Sequence, residues 1–152
     1  MNGSQLHLAL VHFPLVGLGF AILANIYGII KKNDEIKKFA LWCYVIVGFL
    51  AFCAYITGDS AEKIIKTYPG MNEDIIMPHE QYALFLFVGI MILAAISFVG
   101  IILSKTKKEL IKKYTVIVLV IGLLLTVLAV KTGSTGGKIR HTEIEKGYYK
   151  RK

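Results

Sequence analysis

Four long apolar blocks separated by charged segments dominate the pattern of hydrophobic and polar residues along the chain. They cover residues 6–30, 39–56, 81–103 and 115–130. A helix rises 1.5 Å per residue, so about 20 apolar residues cross the hydrocarbon core of a bilayer. The pattern therefore predicts an all-α membrane protein. A four-transmembrane-helix bundle would occupy residues 1–133, and a Gly-rich turn and a basic tail would follow over residues 134–152.

Composition excludes the main soluble classes. Of the 152 residues, 55% are hydrophobic and 18% are charged, whereas roughly a quarter are charged in a soluble domain. The only cysteines, Cys43 and Cys53, lie ten residues apart in one apolar block, which is too far for a disulfide along a helix. No Lys or Arg precedes the first block, and the block is too long for the core of a signal peptide. We therefore expect it to be retained as a helix.

The positive charges predict an orientation. Nine of the 18 basic residues lie in the two connections around Asn33 and Glu109, namely Lys31, Lys32, Lys37, Lys38, Lys105, Lys107, Lys108, Lys112 and Lys113. The positive-inside rule places these connections in the cytoplasm and both termini on the periplasmic side of a bacterial inner membrane. The basic tail forms a second cluster on the outer side, which suggests an interfacial anchor for anionic lipid or a partner. The basic connections and the basic tail account for the net charge of +8, so no nucleic-acid partner is expected.

A repeat at an offset of 72 residues relates the first and third helices. His7, Gly17 and Gly28 align with His79, Gly89 and Gly100, and the second and fourth helices end in Thr57-Gly58 and Thr132-Gly133. This predicts two related helical hairpins around a pseudo-twofold axis along the membrane normal, with helices one and three facing each other. Glycine is common in membrane helices, so coincidence is the alternative. Asn25 is expected to form a hydrogen bond between helices.

All four histidines, His7, His12, His79 and His141, are predicted on the outer side. Ionisable groups within a membrane are functional candidates by default, and imidazole is the commonest metal ligand. Two facing imidazoles in a bundle core can hold a haem iron. The repeat favours His7 and His79 as the ligands. Burial in the hydrocarbon instead favours His12, which is about 7.5 Å deeper than His7. The alternative is that the histidine side chains lie at the membrane interface, where their polar ends contact water.

Other residues leave alternatives open. A five-residue spacing separates His7 from His12 by about 140° around an ideal helix, which argues against a compact three-histidine metal site. Asp59 is an additional metal candidate or a solvated carboxylate. The glycines within the helices make room either for a porphyrin or for close packing between helices.

The opening of the chain resembles a known family. Leu6-His7 followed by Val11-His12-Phe13-Pro14 is similar to the signature of the bacterial membrane family called domain of unknown function 2231, except that Leu8 replaces the family's first proline. Further similarities follow in the same order, at Thr57-Gly58-Asp59, at His79, and from Thr132-Gly133 through Gly136-Gly137 to His141. The resemblance implies a small redox membrane module, because related chains also carry cytochrome c or Rieske domains.

Together these patterns predict a membrane-embedded electron-transfer module rather than a stand-alone enzyme. A b-type haem would be held by His79 with His7 or His12, while His141 would cover the outer mouth or bind a second haem or metal. Electrons would be exchanged with a quinol or with a periplasmic cytochrome c or Rieske-type partner. The alternatives are copper, zinc or iron bound by the same histidines, or a cofactor-free anchor or assembly subunit. A homo-oligomer is compatible with all of these.

Overall fold

The computed structural model of the protein, which describes residues 3–67 and 73–140, is a bundle of four long helices with a short helix at one end. The helices are α1 (Gly3–Ile30), α2 (Asp34–Ile56), α3 (Gly58–Ile65), α4 (Glu73–Thr106) and α5 (Leu110–Arg140). Each long helix contains a segment that is long and apolar enough to cross a membrane. The predicted all-α bundle of four transmembrane helices is therefore confirmed.

The helices pack as two hairpins. Helix α1 packs against α2, and α4 packs against α5; the hairpins meet through α2 against α4 and α1 against α5. Helices α1 and α4 therefore occupy diagonal positions and run in the same direction, so their first turns lie at the same end of the bundle. The short helix α3 packs mainly on α1 at that end.

The helices extend beyond the apolar blocks. Helix α2 begins at Asp34 because the Asn33 side chain accepts hydrogen bonds from the backbone N–H groups of Glu35 and Ile36, at 3.0 and 3.1 Å, an N-cap that satisfies otherwise free donors. Helix α5 continues to Arg140, so the described part of the predicted Gly-rich turn is helical instead. Glycine disfavours a helix by only about 1 kcal/mol per residue, which tertiary contacts can offset. The tail from residue 141 onward lies outside the described residues.

Large apolar side chains cover the outside of the bundle. Val16 is 72% exposed and Phe49 is 66% exposed, whereas Ala21 and Ser97 are fully buried between helices. A soluble protein would show the opposite arrangement. Large apolar residues on the outside, with small residues at some of the buried positions between helices, are typical of helices that pack closely in lipid.

Glycines mark the closest approaches between helices. A Cβ atom at Gly48 would lie 2.5 Å from the Ala94 Cβ, and one at Gly17 would lie 3.0 Å from Val47. Two contacts of α1 recur in the second hairpin: Gly17 with Val47 matches Gly89 with Leu125, and Gly28 with Ile36 matches Gly100 with Tyr114. Of the two roles considered for the glycines, close packing is the one seen at these positions.

The buried Asn25 connects the two hairpins, as the sequence predicts. Its amide nitrogen donates to the backbone oxygen of Thr115 in α5 at 2.9 Å, and its side chain is fully buried. The Tyr44 hydroxyl lies 3.5 Å from the same nitrogen. A hydrogen bond in this apolar setting fixes the rotation of α1 against α5.

Candidate functional site

His7 lies near the start of α1, half-buried against the end of α2. Its Nδ1 atom is 3.1 Å from the backbone oxygen of Ala54 and 3.1 Å from the Thr57 Oγ1 atom. The Thr57 hydroxyl donates to the same Ala54 oxygen at 2.7 Å. The imidazole is therefore held by the last turn of the neighbouring helix.

His79 makes the same contacts in the second hairpin. Its Nδ1 atom is 3.1 Å from the backbone oxygen of Thr132 and 3.2 Å from the Thr135 Oγ1 atom. The Thr135 hydroxyl again donates to the carbonyl oxygen three residues earlier, at 3.0 Å. The two histidines thus occupy equivalent environments at the same end of the bundle.

These contacts change the alignment of the second half of the repeat. His79 follows His7 by 72 residues, but Thr132 and Thr135 follow Ala54 and Thr57 by 78. The counterpart of Thr57-Gly58 is therefore Thr135-Gly136, not the Thr132-Gly133 pair predicted from sequence, which lies nearly one helical turn earlier. The two glycine pairs of the bundle follow the same two offsets. The equivalence supports two related hairpins, and the pseudo-twofold axis itself stays a prediction.

The hydrogen bonds define which ring nitrogen carries the proton. A carbonyl oxygen can only accept, and each threonine hydroxyl already donates to a backbone carbonyl: Thr57 to Ala54, and Thr135 to Lys131 or Thr132. Nδ1–H must therefore be the donor in both histidines. A neutral imidazole has one N–H, which leaves Nε2 as an unprotonated lone pair. Among the described residues, neither His7 Nε2 nor His79 Nε2 has a hydrogen-bond partner.

The two imidazoles lie at the same end of the bundle, on the diagonal helices α1 and α4. A Cβ atom at Gly136 would lie 3.0 Å from the His79 Cε1 atom, which is tighter than an ordinary contact, whereas one at Gly58 would lie at an ordinary 3.8 Å from the His7 Cε1 atom. Two parallel helices therefore each present one lone-pair donor at the same end of the bundle.

The remaining candidates lie elsewhere. His12 is exposed on the outer face of α1, where its Nδ1 atom contacts the Leu8 carbonyl oxygen at 2.7 Å, so it lies apart from the paired histidines. Its separation of about 140° from His7 explains this, because His7 faces α2. Asp59 is exposed at the start of α3, and His141 lies outside the described residues.

A charged rim borders this end of the bundle. Lys66 Nζ lies 2.7 Å from a Glu62 carboxylate oxygen and 3.4 Å from a Glu73 carboxylate oxygen. These carboxylates, Glu62 first, raise the pKa of Lys66. Glu62 and Glu80, which follows His79, are also near enough to interact electrostatically. Sequence reasoning missed this rim, for which the four-residue spacing of Glu62 and Lys66 is the one local signal.

The described part of the chain contains no group of three His, Cys, Asp or Glu side chains placed to hold a metal ion. An apolar groove of about 340 Å³ lies between α2 and α4, lined by residues that include Phe49, Phe52 and Phe98. Its lining carries no ionisable ligand. Among the described groups, the paired histidines are therefore the strongest candidate for ligand binding.

The tautomer assignment can be measured directly. In histidine-labelled protein at alkaline pH, nitrogen NMR should show His7 and His79 protonated at Nδ1, whereas free neutral histidine mainly carries its proton at Nε2. Single His→Ala variants would assign the signals. A dominant Nε2–H form at either position would contradict the hydrogen bonds to Ala54 and Thr132.

The chain is similar to a known protein family over most of its length. A family model described as "Predicted membrane protein (DUF2231)" matches residues 3–143, which include all the described helices and the paired histidines. The resemblance based on the double-histidine opening is therefore confirmed. No curated protein and no solved structure is significantly similar to the chain.

Proposed function

Because the chain belongs to the DUF2231 family of predicted membrane proteins and has four membrane-spanning helices, we propose that it is a multi-pass electron-transfer module in which His7 and His79 bind a b-type haem. One observation carries the proposal. Each Nδ1–H donates to a carbonyl oxygen, and no residue of the described ranges hydrogen-bonds to either Nε2 lone pair. This is the hydrogen-bond pattern that metal-binding histidines require.

The residues at the site fit a haem with two imidazole ligands. Such a haem takes one Nε2 atom from each side, and bundles supply these ligands from facing helices. His7 and His79 come from the diagonal helices α1 and α4 and lie at the same end of the bundle. When bound, the haem would supply reversible transfer of one electron.

The protein would contribute orientation and a low-dielectric surrounding. The carbonyl oxygens of Ala54 and Thr132 fix the ring tautomers and make the Nε2 atoms more basic. The backbone of α5 lies close to the His79 ring at Gly136, where an added Cβ atom would be 3.0 Å from Cε1. The apolar interior below the histidines, which includes Leu18 and Leu93, excludes water and so favours a stable redox centre.

In the proposed orientation, which the lysine-rich connections support, this end of the bundle is on the outer side of a bacterial inner membrane. A quinol in the bilayer would then deliver electrons, and a periplasmic cytochrome c or Rieske-type domain would accept them. The charged rim of Glu62, Lys66 and Glu73 borders the site and is where a soluble partner would dock.

The orientation can be tested with single cysteines in a chain with Cys43 and Cys53 replaced by alanine. Lys63 in α3 and Glu109 between α4 and α5 are both exposed. In intact cells we expect a membrane-impermeant thiol reagent to label Lys63→Cys and to spare Glu109→Cys until the membrane is opened. The reverse pattern would show that the basic tail, rather than the two lysine-rich connections, controls the topology.

The proposed function is tested by adding hemin to the purified protein and recording absorption spectra, with metal analysis in parallel. We expect stoichiometric uptake, a Soret band, and sharp bands on reduction. A protein that takes up no hemin but contains copper, zinc or iron would favour a bare metal site. Absence of both would favour an anchor or assembly subunit and would overturn the proposal.

A further inference from the structure

His12 lies on the outward face of α1, where the surrounding side chains are apolar. It is exposed, as are its neighbours Leu8 at 40% and Phe13 at 58%. His7 contacts the end of α2 through Thr57. Five residues further along α1, His12 lies about 7.5 Å further from that end of the helix. Its imidazole is therefore on the apolar outer surface of a segment that is long and apolar enough to cross a membrane.

The hydrogen bond of the His12 ring determines which kind of partner its Nε2 atom needs. Its Nδ1 atom lies 2.7 Å from the Leu8 carbonyl oxygen, which can only accept, so Nδ1 carries the proton of the neutral ring. The Nε2 atom is then a bare acceptor that needs a hydrogen-bond donor. Acyl chains provide none, and an unsatisfied polar group in hydrocarbon is costly.

The fold itself does not require a histidine here. Leu84 is the equivalent position of α4 at the 72-residue offset, and its side chain is 44% exposed. The second hairpin thus presents an ordinary lipid-facing leucine where the first presents an imidazole. The difference is confined to the outer face of α1, which points to a ligand specific to that face.

We propose that this face binds a quinol whose hydroxyl group donates a hydrogen bond to His12 Nε2. A quinol combines the three required properties: it dissolves in the bilayer, it carries an O–H donor, and its ring can pack beside the exposed Phe13 side chain. The oxidised quinone offers only acceptor oxygens and does not satisfy Nε2. Binding stands on the geometry of His12 alone, whereas the use of the quinol as electron donor rests on the proposed function.

The test compares a short-chain benzoquinol with its dimethyl ether, which has the same ring but no O–H donor. Their dissociation constants are measured by calorimetry on the purified full-length protein. One hydrogen bond of this kind changes affinity by up to about tenfold, so wild type should prefer the quinol by about that factor. His12→Ala should bring the ratio close to one, and the matched variant Leu84→Ala should retain it.

The same titration on His79→Ala separates this proposal from the haem proposal. Loss of haem with an unchanged preference for the quinol supports the site at His12 even if no electron is transferred there. An equal preference in wild type and His12→Ala would overturn it. A second result would also overturn the proposal: wild type shows no preference for the quinol, and His12→Ala has a lower oligomeric mass than wild type. His12 would then contact a second copy of the chain.

Discussion

His7→Ala and His79→Ala should each remove nearly all of the haem from the purified protein, whereas His12→Ala should retain it. The two imidazoles occupy equivalent positions with their Nδ1 atoms held by carbonyl oxygens, so each would supply one of the two axial ligands. Loss of a single ligand leaves a five-coordinate iron without its second anchor. Haem per protein, measured by the pyridine haemochrome assay, gives the result directly.

His12→Ala is the matched control, because it removes an imidazole from the same helix without touching the paired site. Folding of each variant is checked by circular dichroism and by its elution volume in detergent. Full haem content in His79→Ala together with its loss in His12→Ala would show that the ligands were assigned to the wrong histidines. The site would then lie on the outer face of α1.

Gly48→Ala should be less stable than Gly19→Ala by about 1–3 kcal/mol, and Gly19→Ala should be as stable as wild type or more stable by up to about 1 kcal/mol. A Cβ atom at Gly48 would lie 2.5 Å from the Ala94 Cβ, so α2 and α4 would have to separate. No atom lies within 4 Å of a Cβ atom at Gly19. Overpacking of this kind costs about 1–3 kcal/mol, and alanine otherwise favours a helix over glycine by about 1 kcal/mol.

The free energy of unfolding in mixed micelles, with denaturing detergent as the variable, measures both variants against wild type. A Gly48→Ala protein as stable as Gly19→Ala would contradict the close contact between α2 and α4. This experiment concerns the packing of the two hairpins alone, so it remains informative whatever the protein binds.

Hydropathy predicts the four spans because their length and apolar character decide membrane insertion largely independently of tertiary packing. The alternating path of the chain then brings His7 and His79 to one end. The 72-residue repeat also identifies the glycines that recur at helix contacts, such as Gly17 and Gly89. These features are local, or follow from connectivity alone.

Features that depend on packing were not predictable in this way. The side of α1 on which His12 lies depends on which face meets α2, and a helix that is apolar all round gives little indication of that face. The register of Thr135 with Thr57 depends on six extra residues between the matched positions of the second hairpin. These residues lengthen α4 and α5 where the two helices are joined, and an ungapped comparison misses them. The carbonyl partners of His7 and His79 are backbone atoms, which sequence patterns do not identify.

The central claim is that His7 and His79 together provide both axial ligands of one haem. Near-infrared magnetic circular dichroism of the oxidised, hemin-loaded protein identifies the two axial ligands from the energy of the charge-transfer band. The structure predicts the band of two neutral imidazoles in wild type and in His12→Ala, and its loss in His7→Ala and His79→Ala. A band of one imidazole with water or methionine in wild type, or no bound haem, would contradict the claim.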